Sequence, residues 1–265
     1  VRIPRRPVRY LVAALAVLFA AALVPVFVHA ERQPLDGPWQ PTFDMGRSLV
    51  TNEVAHRSPR RPGAVTSPDW IVTSGSLFAD GGRAWSGYPD DASPDVSSSR
   101  GTGSAVLRAV SRPDHFADVR FHLSLEVAAP TTSARTGMHS WDGVHLFVRY
   151  TSPSQLYAVT VCRRDGTTAI KKKAPTAGAP ASGRYTTMAS GSLPCTVGRP
   201  VDVDVDVRNA ADGVHVALLV NGAPVLSAVD SGQDGTPALT GPGRVGVRGD
   251  NTELRFGSVT VSKAS

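Results

Sequence analysis

Apolar and polar residues alternate with a period of two along much of the chain. In Pro200–Arg208, Val201, Val203, Val205 and Val207 fall on one side, and Asp202, Asp204, Asp206 and Arg208 on the other. Successive side chains leave a pleated strand in opposite directions, so this pattern predicts a strand with one buried and one wet face. Phe121, Leu123, Leu125 and Val127 alternate in the same way with His122, Ser124 and Glu126, and Val214, Val216, Leu218 and Val220 form a third run. Asn221-Gly222, between that run and Pro224–Val229, suits a tight hairpin because both residues readily take positive φ. Asp80-Gly81-Gly82 and Asp165-Gly166 divide other strand pairs. Near the C-terminus, Leu254 and Phe256 have one parity and Val259 and Val261 the other, so a bulge at Gly257 is expected to restore all four to one face. No helical stripe with caps follows residue 30. About a dozen short strands without intervening helices predict an all-β, antiparallel sandwich of two packed sheets.

The start of the chain is of another kind. An apolar run of 18 residues, Leu11–Val28, follows Arg2, Arg5, Arg6 and Arg9 and precedes Val28-His29-Ala30. This reads as a signal peptide cleaved after Ala30, or as an uncleaved anchor helix. Either places the remainder outside the cytoplasm, secreted or tethered to the outer face of the membrane, with the membrane touched only through residues 1–30. Residues 31–47 read as a linker. The sandwich is expected over 48–265, with a first strand near 48–54, a flexible stretch at 55–68 and a long loop at Gly87–Gly103.

The formal charge of +6 changes little once divided. The four leader arginines carry most of it, leaving 24 basic against 22 acidic residues beyond them. A balanced domain has no electrostatic footprint for nucleic acid. Cys162 and Cys195 suit an oxidising compartment; joined, they close a loop worth roughly 3–4 kcal/mol, and the alternative is two free thiols. Nothing in the sequence calls for zinc, for a required cofactor or for more than a monomer.

Three segments carry a resemblance. They are Trp70-Ile71-Val72 with Ser74-Gly75-Ser76-Leu77, taken as an opening hairpin; Trp141 to Tyr150 with Leu156-Tyr157-Ala158-Val159; and Gly243 to Asn251 closing with Leu254-Arg255-Phe256 and Val259-Thr260-Val261. Over roughly residues 48–263 the chain resembles the concanavalin A-like lectin/glucanase superfamily, which includes laminin G-like modules. That resemblance implies a jelly-roll sandwich whose concave sheet commonly meets glycans, with the closing strand beside the opening one. It also implies a possible structural Ca2+, for which Glu53 and Asp250 would supply oxygens. The superfamily holds lectins, glycosidases, lyases and adhesion modules, so fold alone does not choose among them.

Chemistry must therefore come from residues. Glycoside hydrolysis usually takes two carboxylates, but the four glutamates, at 31, 53, 126 and 253, stand in no Glu-x-Asp-x-x-Glu run. The triplet Asp202, Asp204 and Asp206 reads most simply as a solvated face that guards a valine-rich strand. His145, Phe147 and Arg149 share a parity opposite Val144, Leu146, Val148 and Tyr150, so they are expected to face outward. His122, Glu126, Trp141 and Tyr157 complete a candidate carbohydrate-binding set, offering planar donors and ring faces. The simpler reading has His145 and Arg149 paired with acids across strands. Lys171-Lys172-Lys173 adds attraction for acidic polymers, although at most two of the three can share a face. The expectation is an exported, polysaccharide-binding sandwich. Its competitors are a glycoside hydrolase or polysaccharide lyase on the same scaffold, and a protein-adhesion module.

Overall fold

A computed structural model describes residues 37–87, 105–132 and 137–264. The expected leader, the first part of the linker and most of the Gly87–Gly103 loop lie outside the described residues. Two antiparallel sheets stack face to face. One has eight strands in the spatial order β1 (Ser48–Asn52), β3 (Ser76–Asp80), β4 (Arg83–Trp85), β15 (Thr252–Lys263), β6 (Val119–Pro130), β11 (Val201–Ala210), β12 (Gly213–Val220) and β13 (Ala223–Asp230). The other has seven: β10 (Ala179–Ser192), β9 (Thr167–Thr176), β8 (Gln155–Val161), β7 (Gly143–Ser152), β14 (Arg244–Asp250), β5 (Ala105–Ser111) and β2 (Trp70–Ser74).

The alternating apolar positions meet between the sheets. Phe121, Leu123, Leu125, Val203, Val205 and Val207 come from one, and Val144, Leu146, Val159, Val245 and Val247 from the other, all buried. Each such side chain contributes about 1.5–3 kcal/mol relative to exposure. Asn221 and Gly222, at φ 51° and 78°, turn β12 into β13. The register of β15 against β6 slips between Gly257 and Thr260, with Ser258 at φ 51°, and Leu254, Phe256, Val259 and Val261 are all buried as a result.

Four expectations need correction. Residues 39–43 pack on the sandwich: Trp39 bridges Val261 and packs on Trp70, while Phe43, 2% exposed, stacks on Trp70 and meets Phe256 edge-on. The stretch after β1 opens in a short helix, α1, Glu53–Arg57, where no helix was expected, capped where Asn52 Oδ1 accepts from the Ala55 N–H. Trp70–Ser74 and Ser76–Asp80 do not make a hairpin; Gly75, at φ 77°, passes the chain from one sheet to the other. Finally, β1 lies beside β3 rather than beside the closing strand β15. Cys162 and Cys195 are joined as a disulfide.

Candidate functional site

Strand pairing fixes which side chains share the outer face of the seven-stranded sheet. One row runs Ile71, Val110, Gly246, Phe147, Ala158, Lys171 and Thr187 across six neighbouring pairs of strands. The next row places Arg108 opposite Arg248, Arg248 opposite His145 and His145 opposite Thr160. Leu156, Lys173 and Tyr185 lie opposite one another on β8, β9 and β10. Ile71, Val110, Phe147, Tyr150, Leu156 and Ala158 form a second, smaller apolar cluster on this side, separate from the main core. A Cβ at Gly246 would come within 2.7 Å of the Ala109 carbonyl and 2.9 Å of Val110 Cγ1, so the missing side chain leaves the strands room to close.

His145 and Phe147 face outward as their parity requires, but Arg149 does not. Arg149 sits at φ 52°, and β7 slips in register against both neighbours at this point. The slip turns its side chain into the end of the sandwich and brings Tyr150 out beside Phe147, ring centroids 5.8 Å apart. Buried, the guanidinium donates to the carbonyls of Ala117, Leu239, Thr240 and Gly241 and to Asp118 and Asn209. Tyr157 is also interior. Its hydroxyl donates to Asp230 and accepts from the Leu239 N–H, and burial, then the Asp230 bond, pushes its ionisation well up. The role of an ionised base is therefore unsuited to Tyr157.

The other expected residues also separate. His122 and Glu126 stand on the outer face of the opposite sheet, where His122 lies 3.0 Å from Asp204 and Glu126 2.6 Å from Arg83. Arg120 grips Asp206 through two nitrogens, so two of the three aspartates of β11 serve cross-strand pairing. Trp141, 51% exposed, stacks on His139 in the turn before β7, at the end of the sheet rather than on its face. Glu53 is fully buried against Arg57 and the Gly75 N–H, where the chain crosses between the sheets, whereas Asp250 closes β14, bonded by Arg248 and 3.1 Å from His145. Among the described residues no group of three His, Cys, Asp or Glu gathers to hold a metal. The lysine run divides as alternation demands. Lys171 and Lys173 face outward, while Lys172 is buried between the sheets, bonded to Asp230, Asp234 and the Thr236 carbonyl.

What remains on the outer face is a depression of about 230 Å³ lined by Arg108, Phe147, Tyr150, Leu156, Lys173, Tyr185 and Arg248 among others. Its floor is apolar and its rim cationic. Tyr185 is 39% exposed and carries the Lys173 ammonium 4.9 Å from its ring centroid. Burial and then Arg248 lower the ionisation of Arg108; burial and then Arg108 and Arg248 lower that of Lys173. Burial also lowers His145, which favours its neutral form despite Asp250, and pushes the Tyr150 and Tyr185 phenols up. Among the described residues of these rows Asp250 is the single carboxylate, and the paired acids of glycoside hydrolysis are not assembled. A larger depression, about 650 Å³, lies on the eight-stranded sheet beside Arg120, Asp206 and His215, but no aromatic ring lines it apart from that histidine.

Arg108, Arg248, Tyr150 and Tyr185 were not singled out by the sequence reading. Both arginines had a signal, since Arg248 alternates with the buried Val245 and Val247 and Arg108 with the buried Leu107 and Ala109. Tyr185 had none, because β10 is exposed along most of its length and shows no clean alternation.

The sequence matches no protein-family model and no curated protein. Solved structures superpose on the chain at low identity. The carbohydrate binding module CBM66 from Bacillus subtilis superposes with a TM-score of 0.49 at 14% identity, over 73% of this chain and 95% of that one. β-Agarase B from Zobellia galactanivorans gives 0.49 at 7%, over 85% and 94%. A lichenase from a mouse hindgut metagenome gives 0.44 at 10%, over 75% and 94%. The chain itself is all-β, two stacked antiparallel sheets.

Proposed function

We propose that this is an exported protein that binds polysaccharide through the outer face of the seven-stranded sheet. One observation carries the reading: an apolar, ring-bearing floor on an outward sheet face, bordered by guanidinium, ammonium and phenol donors and by the exposed ring of Tyr185. A sugar presents both an apolar face for a ring and hydroxyls for planar donors, so the two kinds of group are needed together. Export accords with the disulfide, which persists in oxidising compartments. Hydrolysis is less well supported, because one carboxylate, already held by a histidine and an arginine, cannot fill two roles. Elimination by a tyrosine base is likewise less well supported, because burial makes the outward tyrosines harder to ionise.

The test is a binding survey of the full chain against neutral and acidic polysaccharides, with Tyr185→Ala alongside. Retention by at least one polysaccharide, weakened about threefold to tenfold by Tyr185→Ala, is expected. Retention that ignores the substitution would move the site elsewhere.

A further inference from the structure

The two outer faces of the sandwich treat charge in opposite ways. On the eight-stranded sheet cations meet acids: Arg120 pairs with Asp206, Arg83 with Glu126, Arg255 with Asp80 and His122 with Asp204. On the seven-stranded sheet Arg108 stands directly opposite Arg248 in the ladder, and Lys171 and Lys173 follow on β9. Asp250 is the carboxylate beside the two arginines, and Arg248 already bonds it with His145 3.1 Å away, while Asp165 acts on Lys171 from the loop before β9. Arg108 has no acid partner among the described residues, and Lys173 is satisfied only by the Pro153 carbonyl and the Tyr185 ring. Like charges set directly opposite in a ladder are destabilising, and partial burial makes the repulsion stronger than it would be in water. Burial and this crowding hold Arg108 and Lys173 below their ordinary ionisation ranges.

A protein that matches its charges on one face and leaves them crowded on the other has a reason outside itself for the second arrangement. We infer that the polysaccharide taken by this face is anionic, carrying carboxylate or sulfate groups that meet Arg108, Arg248, Lys171 and Lys173. The inference rests on the glycan-binding reading above. The apolar floor between the two cationic borders receives a ring face, while charged substituents reach outward to the borders. Guanidinium forks suit planar oxyanions, and hydrogen bonds between two charged partners are the stronger kind.

The experiment measures retention of the full chain by polygalacturonate, the same polymer with its carboxyls reduced, a sulfated galactan, a neutral β-glucan and polyglutamate. At low salt, polygalacturonate or the sulfated galactan is expected to bind at least about tenfold more tightly than the uncharged polymers, with affinity falling as salt rises. The two acidic arms distinguish carboxylate from sulfate recognition. Arg108→Met and Lys173→Met are expected to lose that preference while keeping or raising the thermal midpoint, because each relieves repulsion; a residue with a merely structural role would lower it. Binding to the carboxyl-reduced polymer as tight as to both acidic glycans would overturn the anionic assignment and leave the glycan reading standing. Binding to polyglutamate as tight as to either acidic glycan would also overturn it, since the face would then read charge without sugar. No retention by any saccharide would remove both.

Discussion

Arg149 and Lys172 illustrate how little a residue's type says about its duty. Both are long cations on the seven-stranded sheet, both are buried, and both turn inward to hold the segment between β13 and β14: Arg149 through the carbonyls of Leu239, Thr240 and Gly241, Lys172 through Asp234 and Thr236. Arg149→Met removes the guanidinium donor from those carbonyls and from Asp118, and only Asp118 and the Thr240 carbonyl among them keep a bond from Asn209. A loss of about 3 kcal/mol in a urea unfolding experiment is expected, with glycan retention per folded molecule unchanged. Asp234 belongs to the same clamp. Burial pushes its carboxyl up, but the bonds from Lys172 and Thr236 outweigh this and hold it at about 2, below its ordinary 3.8. A depressed carboxyl stabilises the fold above its unfolded value and ceases to as the pH falls through its folded one. Stability should therefore fall between about pH 4 and pH 2, and more gently in Asp234→Asn; equal slopes in the two proteins would show that the clamp carries no charge linkage. The parity of Lys172 was legible from its neighbours. That of Arg149 was not, because the positive φ that turns it inward depends on the close approach of Gly243, whose added Cβ would lie 2.6 Å from the Arg149 carbonyl carbon, almost a hundred residues away in sequence.

Strands whose two faces differ in wetness could be read directly, and those buried or exposed on both sides could not. β6, β11 and β12 alternate strictly, and the structure places their apolar sides in the core. β7 is buried on both faces over much of its length, because Phe147 and Tyr150 lie in the second apolar cluster, and its pattern there no longer reports direction. Gly246, opposite Phe147, leaves no room for a side chain where β14 pairs with β5. Gly246→Ala is expected to lower the thermal midpoint, since a Cβ meets backbone at 2.7 Å and Val110 at 2.9 Å; an unchanged midpoint would mean that β14 and β5 separate more easily than their register suggests. The disulfide acts at the same scale, tying the end of β8 to the segment after β10 across 33 residues. Its reduction should cost about 3–4 kcal/mol, read as a lower urea midpoint in reductant. The strand crossing at Gly75 escaped the sequence because a two-sheet exchange and a tight hairpin use the same positive-φ residue, and only long-range pairing separates them.

The sandwich formed by the described residues presents two outer faces built on one core, and the difference between them is the basis for a functional reading. Sequence parity put His122, Glu126 and His145 outward correctly but had no means of assigning them to the same sheet, since strand order across a sandwich is set by chain crossings rather than by alternation. A common groove lined by all three does not exist. The face that does gather rings and donors draws on β5, β14, β7, β8, β9 and β10, strands scattered from residue 105 to residue 192 and again near 244 to 250. Titrating the labelled chain with an acidic oligosaccharide while following backbone amide shifts would test that assignment most directly. Changes gathered around Arg108, Phe147, Lys173, Tyr185 and Arg248, with β11 to β13 silent, are the expected result. Changes centred on Arg120, Asp206 and His215 would place the ligand on the opposite sheet and contradict it.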